Sequence, residues 1–523
     1  MVVIGAGMTG AGVALDAASR GLRVALVERR DIASGTSSKS SKMVHGGLRY
    51  LQQKEFRLVY ENLRERQRLL LNAPYLVQPL PFLIPLFGSN GVVAKALVKG
   101  YSTALRIYDL SGGWRIGHRY RKITRDETLA HLPTLRTDRL VAGFLYYDAR
   151  GDDARVALTL AKTAALSFDA TVVTYTSALG VTKDATGRVE ALRCRDEVSG
   201  EEFTVRTRAV VNASGVWADD IFSMTEHQAS HRITPAKGVH VSVPSERLPT
   251  DVAAVFSVPN DRRSIFVVPF DGAPFTYVGT TDTAYAGSLD DPACTPEDVA
   301  YLLSSVNAST TSELTVADVT GVWAGLRPLL APVKGKVLSE RTADLSRRHQ
   351  VSDTGDGVVH VTGGKWTTYR QMAEDAVDAL SPYVARLPRT RTTSLALYGV
   401  GAWRPTNDLE EHLYYRFGAD APRVVALIDE DPSLGEPAIA GLPYLRAEFL
   451  FSAREEMAVT LVDLLARRTR AHLLDARATL AVAPDVASLV AASMGWSERD
   501  VDDQVAAYRS LVETEFAAAG LVL

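Results

Sequence analysis

Cysteine is nearly absent: Cys194 and Cys294 are the two thiols in 523 residues. Neither has a second ligand at metal-binding spacing, which excludes a disulfide framework or zinc site and fits a reducing cytosol. No sign of charge dominates either. The formal net charge is −3, with no block of basic residues, so nucleic-acid binding is excluded as the main role. There is no secretory signal, since Met1 stands almost directly on the first apolar run, an abrupt start that points to a trimmed or misassigned N-terminus. The longest uncharged stretch, Leu69 to Ala94, is long enough to span a bilayer but carries Pro74, Pro79, Pro81, Pro85, Gly88 and Gly91. These break a spanning helix repeatedly. Two readings remain for it: a surface-seeking apolar loop ahead of an amphipathic segment (Lys95, Lys99 and Arg106 beside Leu97, Tyr101, Leu105 and Ile107), or packing on the protein's own core.

What is present is concentrated in the first 50 residues. A strand from Val2 to Ile4 runs into Gly5, Gly7 and Gly10; a helix follows, with Val13, Ala14 and Ala17 at apolar spacing; a second strand from Leu22 ends on Glu28. The glycines serve a tight turn, close approach to a pyrophosphate and helix–strand packing. The helix N-terminus offers N–H groups to phosphate, and Glu28 can accept from a ribose hydroxyl. This order predicts a dinucleotide site. A hydroxyl-rich loop follows, with Thr36, Ser37, Ser41 and Lys42, and then His45-Gly46-Gly47-Leu48-Arg49-Tyr50.

Together, TSSKSSKMVHGGLRYL, AGLRPL at 324–329 and GGKWTTYRQMAEDA at 363–376 make the chain similar, over nearly its whole length, to the FAD-dependent, respiratory glycerol-3-phosphate dehydrogenases. The resemblance implies non-covalent FAD, and both cysteines lie outside the matched motifs. It implies that backbone near Val172 holds the adenine, and that Arg49, Arg327 and Lys365 surround glycerol 3-phosphate with Tyr50 as hydroxyl donor. Arg263 and Arg341 are weaker candidates for the same pocket.

The rest of the chain is read as follows. Residues 54–72 predict a helix with Phe56, Val59, Tyr60, Leu63 and Leu70 on one face and a solvated charged face. Residues 75–149 are irregular. A helix starts at Gly151-Asp152-Asp153, where aspartates suit an N-terminus. It feeds a strand from Ala170 to Tyr175. Residues 187–211 predict a hairpin ending at Asn212-Ala213-Ser214-Gly215, where backbone can approach the cofactor. Residues 231–282 are β-rich, a wall for a pocket, and 288–320 resemble a polar helical insertion. A second glycine turn, with Gly364, Lys365 and Thr367, leads into a helix. A linker around 382–405 precedes a helical remainder, in which 446–474 shows the clearest helical period.

Oxidation of an alcohol by a flavin needs a hydride acceptor, a base for the hydroxyl proton and groups that fix orientation. An imidazole suits the proton, with its ordinary pKa near ~6.5. His45 is the favoured base and His240 its competitor. Arginine forks suit phosphate, and Arg49 and Arg327 stand among glycine and apolar residues, where an unpaired cation is costly.

The expected architecture is α/β: a Rossmann-like FAD-binding domain of the glutathione-reductase/amino-acid-oxidase type (1–75, 150–222 and 342–385), a β-rich substrate domain (76–149 and 223–341) and an all-α C-terminal domain (386–523). The expected reaction converts sn-glycerol 3-phosphate to dihydroxyacetone phosphate, with electrons passed to a membrane quinone, a step implied by the resemblance alone. Peripheral contact with the inner face of the cell membrane and a homodimer are expected alongside it. The rivals are a glycerol-3-phosphate oxidase using oxygen and an amine oxidase of the same fold. An NAD-dependent dehydrogenase gives the Ser/Thr loop no role, and a non-enzymatic flavoprotein leaves the cation cluster without one.

Overall fold

The computed structural model describes residues 1–52, 55–88, 95–225, 231–258, 263–332, 348–401 and 403–523. Arg341 lies outside them. Val2–Ile4, Met8–Ser19 and Ala25–Val27 form the β-α-β unit that the glycine spacing predicts. Both strands join a six-stranded sheet in the order His349–Asp353, Val358–Gly363, Val210–Asn212, Val2–Ile4, Ala25–Val27, Thr171–Val173. Its pairings are parallel except at His349–Asp353. Alternate residues such as Val3, Leu26, Val211 and Val359 are buried with Ala11, Val13 and Ala14 of the first helix, which explains why that helix is so rich in small residues.

A ten-stranded sheet stands beside it. Two features of this sheet position the site. The long strands His231–Pro244 and Gly321–Pro332 pair antiparallel, and Val77–Phe87 pairs with Leu140–Gly151 over nearly its full length. The latter pair decides between the two readings of Leu69–Ala94, of which 89–94 lie outside the described residues: Val77–Phe87 is a strand with Leu80, Phe82, Leu83, Ile84 and Leu86 buried, so this part packs on the protein's own core. Pro79, Pro81 and Pro85 occupy alternate positions, so their missing N–H groups all fall on one side of the strand. The amphipathic segment is a helix, Lys95–Leu110, that buries Leu105 and Tyr108 and exposes Ile107 and Leu110.

The helix Phe56–Asn72 also differs from its expected faces. Phe56 and Tyr60 are exposed, whereas Glu65 and Arg66 are buried, because Arg66 donates to Asp148 at 2.6 Å and Arg370 donates to Glu65 at 2.6 Å. These two charges are therefore internal, while Arg57 on the same helix is exposed. Residues 446–474 are not a single helix. Arg446–Glu455 ends before Met457, which has a left-handed φ of 57°. The N–H groups of Val459 and Thr460 then donate to the Asp463 carboxylate, at 2.8 and 2.9 Å, and a π-helical turn, Asp463–Arg468, follows.

The helical C-terminal part is tied to the nucleotide unit by buried ion pairs. Arg468 forks onto Asp31 at 2.7 and 2.8 Å, and Arg155 onto Glu456 at 2.5 and 3.0 Å. The helical part also meets the ten-stranded sheet at backbone distance. A Cβ on Gly321 would lie 2.1 Å from the Leu473 carbonyl oxygen.

Candidate active site

The first turn is built for a phosphate chain. Gly5 has φ +97°, and a Cβ on Gly10 would lie 1.8 Å from the Gly5 carbonyl oxygen, so neither position tolerates a side chain. Gly7 caps the helix without a side chain, and the next N–H, on Met8, donates to Ser37 Oγ at 2.8 Å. Glu28 accepts from the N–H of Ala6 at 2.7 Å and of Arg30 at 3.0 Å; its burial raises the carboxyl pKa despite these bonds. Gly363 and Gly364 have φ of +73° and +80°, ahead of the second helix N-terminus. An FAD fits these residues: the glycine turn and Ser37 would hold the pyrophosphate, and Glu28 the ribose.

From this turn a cavity of about 630 Å³ runs to the ten-stranded sheet. Gly5, Gly7, Glu28, Thr36, Ser37 and Ser41 line it on the nucleotide side, and Ala213, Gly215, Gly364 and Thr367 join them. His45, Gly47, Tyr50, His240, Arg263, Arg327 and Lys365 line the remainder. Gly10, Lys42 and Val172 stand behind the lining: Val172 pairs in register with Leu26, and Lys42 is buried. Arg49 opens the short helix Arg49–Gln52.

Strand pairing explains the sheet side of the cavity. His240 is opposite Trp323, Gly238 opposite Gly325, and Ala236 opposite Arg327. Partners in an antiparallel pair share a face, as do residues two apart, so His240, Trp323 and Arg327 stand on one face with a rung of two glycines between them. That rung must be empty. A Cβ on Gly238 would meet the Arg327 guanidinium at 2.4 Å, and one on Gly325 the Lys39 carbonyl oxygen at 2.8 Å. Arg327 donates to Thr280 Oγ1 at 3.0 Å and to the Thr281 carbonyl at 3.1 Å, with the Asp282 carboxylate 3.7 Å away.

The His240 ring stacks on Trp323, with centroids 4.8 Å apart, and its Nε2 is 2.7 Å from Ser41 Oγ. Burial first, then the Lys42 and Arg327 cations, hold its pKa well below the usual 6.5. The ring is therefore neutral at pH 7. Lys365 places its ammonium 3.8 Å from the centre of the Tyr50 ring, a cation–π contact that joins two separate motifs at one end of the cavity. Arg263 covers the Tyr301 ring at 4.6 Å.

Some of the site carried no sequence signal. Gly46, beside His45, is clamped: its N–H donates to Tyr108 Oη at 2.9 Å and to Asp148 at 3.2 Å, while Asn62 donates to its carbonyl at 3.0 Å. Tyr108 and Asn62 belong to helices read only for their amphipathicity. Trp323 could have been found, since it stands four residues before Arg327 and so shares its face.

A family model for FAD dependent oxidoreductases matches residues 1–370, and one for the C-terminal domain of alpha-glycerophosphate oxidase matches residues 359–501. Glycerol-3-phosphate dehydrogenase 2 of Mycobacterium tuberculosis (strain ATCC 25618 / H37Rv) is 41% identical over 98% of this chain and 88% of its own length. This chain belongs to the FAD-dependent glycerol-3-phosphate dehydrogenases. The human mitochondrial glycerol-3-phosphate dehydrogenase is 34% identical, covering 98% of this chain and 73% of that one. The crystal structure of the Bacillus halodurans glycerol-3-phosphate dehydrogenase complexed with FAD superposes with a TM-score of 0.77 at 29% identity, over 98% of this chain and 93% of the other. The expected fold and the FAD cofactor are both established by this membership.

Among the described residues no helix is long and apolar enough to cross a membrane. FAD, when bound, supplies the two-electron acceptor that this family of oxidoreductases requires. The chain itself supplies a neutral imidazole, a guanidinium held by two oxygens, and an ammonium over an aromatic ring.

Proposed function

We propose that the protein oxidises sn-glycerol 3-phosphate to dihydroxyacetone phosphate. In this reading Arg327, Lys365, Arg49 and Tyr50 bind the phosphorylated substrate, with Arg263 also in the cavity lining. His240 or His45 takes the hydroxyl proton while the hydride leaves C2. The observation that carries the reading is the shared face of His240 and Arg327, which offers a proton acceptor and an anion-binding fork to one small molecule. The names of the relatives support the same substrate. The three-part division into FAD-binding, substrate-binding and helical regions belongs to this proposal.

The proposal includes a membrane quinone as the onward acceptor. The apolar residues Phe82, Ile84, Phe87, Tyr101 and Phe266 in the cavity lining support it. Tyr101 lies on the helix Lys95–Leu110, whose exposed Ile107 and Leu110 adjoin the exposed Trp114 and a scatter of basic residues. Peripheral contact of this helix with an anionic bilayer surface would bring the acceptor to these residues. The match of residues 359–501 to an oxidase domain keeps oxygen as the second reading. Anaerobic addition of glycerol 3-phosphate to the FAD-loaded enzyme should bleach the flavin and yield dihydroxyacetone phosphate. Reoxidation is then compared with a quinone analogue and with oxygen. Stoichiometric peroxide with no response to the quinone would replace the first acceptor by the second, and a flavin that stays yellow would remove the substrate assignment.

A further inference from the structure

The helix Asp153–Phe168 begins at a pair of acidic residues, and one of them does more than serve the helix. Asp152 caps it, accepting from the Arg155 N–H at 3.1 Å. Asp153 is fully buried and faces the hydroxyl-rich loop. One of its oxygens accepts from the Ser40 N–H at 2.9 Å; the other accepts from the Ala154 N–H at 3.1 Å, from Lys42 Nζ at 3.2 Å and from Arg470 at 2.7 Å. Arg470 belongs to the helical C-terminal part and also forks onto Asp152, at 3.0 and 3.1 Å through Nε.

These bonds fix a three-residue turn. Lys42 has φ +52°, a left-handed conformation unfavourable for a non-glycine residue. The turn is held regardless, because Lys42 N–H donates to Ser40 Oγ at 3.0 Å and its carbonyl accepts from the Gly151 N–H at 3.0 Å. Tyr277 Oη donates to the Ser41 carbonyl at 2.9 Å. With its backbone so constrained, Ser41 presents its hydroxyl to His240 Nε2 at 2.7 Å.

That contact decides which way the imidazole points. Stacking on Trp323 fixes the ring plane but not its two flips, which differ only in where the nitrogens fall. His240 Nδ1 is buried and has no hydrogen-bond partner among the described residues, so Ser41 is the hydrogen bond that selects the flip and biases the tautomer. The charged groups acting on the ring are Lys42 and Arg327, with Tyr277 edge-on to it. Two cations there make the imidazolium unfavourable, so orientation of the neutral ring is what remains to be controlled.

We infer that Asp153 is the positioning residue for the Ser41–His240 pair, and that Arg470 holds Asp153 in that role. The helical C-terminal part thereby reaches one of the two candidate proton acceptors of the oxidation proposed above, on which this inference rests. The test uses the full chain loaded with FAD and labelled with ¹⁵N-histidine. There are ten histidines, and His240→Asn assigns the relevant signals. In Arg470→Met the His240 ring signals should move to the positions they take in Ser41→Ala. FAD content should be unchanged, and the limiting rate of flavin bleaching by glycerol 3-phosphate should fall about 10- to 100-fold. The Ser41→Ala/Arg470→Met double variant should be no slower than the slower single one, and Arg470→Lys should recover most of the rate. Unmoved His240 signals in Arg470→Met, or rate losses that multiply in the double variant, would overturn the inference. Should Arg470→Met not fold, the near-isosteric Asp153→Asn is read the same way, and an unmoved ring there is equally decisive. A wild-type holoenzyme that glycerol 3-phosphate does not bleach would instead remove the oxidation reading, while the ring signals would still report on the positioning.

Discussion

His240 and Trp323 face each other across an antiparallel rung and stack at an interplanar angle of 9°, which holds the imidazole upright on the face that carries Arg327. Replacing His240 by Ala leaves the glycine turn and the FAD cradle untouched. The rate of substrate-driven flavin reduction should drop by about 10²- to 10⁴-fold with FAD still bound, as measured by anaerobic stopped-flow absorbance. A comparable loss in His45→Ala with none in His240→Ala would transfer the proton-accepting role to His45.

Stability should depend on pH through the same residue. Burial, then Lys42 and Arg327, depress the His240 pKa well below 6.5, so the unfolded chain binds a proton that the folded chain refuses. The folded state is therefore fully favoured above the ordinary value and loses stability as pH falls below it. A second loss comes lower. Burial would raise Glu456, but Arg155 and Lys162 outweigh it and hold the carboxyl at about 2, against an ordinary 4.5. Its contribution is complete above 4.5 and fades as the pH falls toward 2. Melting curves from pH 7 down to pH 3 should show both declines, the upper one missing in a His240→Gln variant.

Arg327 donates to Thr280 Oγ1 and the Thr281 carbonyl through Nη2, with Nη1 3.7 Å from the Asp282 carboxylate. Lysine keeps the charge but not the planar fork. Arg327→Lys should raise KM for glycerol 3-phosphate about 10-fold or more, with the flavin spectrum unchanged. Loss of the flavin would mean that Arg327 holds the cofactor instead.

A side chain at position 10 has nowhere to go, since its Cβ would lie 1.8 Å from a backbone oxygen. Gly10→Ala should purify without FAD or fail to accumulate. Gly100→Ala, on an exposed helix where a Cβ meets nothing, is the matching control and should retain the flavin.

The buried pair Arg468–Asp31 joins residues from opposite ends of the chain. Arg468→Met should cost about 3–5 kcal/mol in denaturant titrations, because Asp31 then keeps a buried charge with less compensation. Adding Asp31→Asn should restore part of that loss, which a purely steric role for Arg468 would not allow.

The parts legible in the sequence are those with a short-range cause. Gly5, Gly7, Gly10 and Glu28 announce themselves because a turn, a helix N-terminus and a strand end must follow within one unit. The strand Val77–Phe87 was hidden because its prolines look like breakers until their alternation is matched to a partner strand. The break near Met457 was hidden because Asp463 supplies its cap from beyond the gap, while the apolar period runs on across it. Arg66, Tyr108 and Asp148 meet only in the folded chain, so no local pattern marks the clamp on Gly46. Motif resemblance brought Arg327 and Lys365 forward; it could not supply Trp323, which acts through strand register, or Thr280, which meets Arg327 from just beyond the strand Phe275–Gly279.

The register of His231–Pro244 against Gly321–Pro332 carries a further consequence for how this site can vary. Side chains on a strand alternate faces, so deleting one residue between Gly238 and His240, or between Trp323 and Arg327, would turn one of the two functional groups toward the far surface. Length changes there are tolerable only in even steps, each of which alters the reach between imidazole and guanidinium by about 6–7 Å. Substrates of a different size are therefore more readily accommodated by changing the loops around this ribbon than by changing the ribbon.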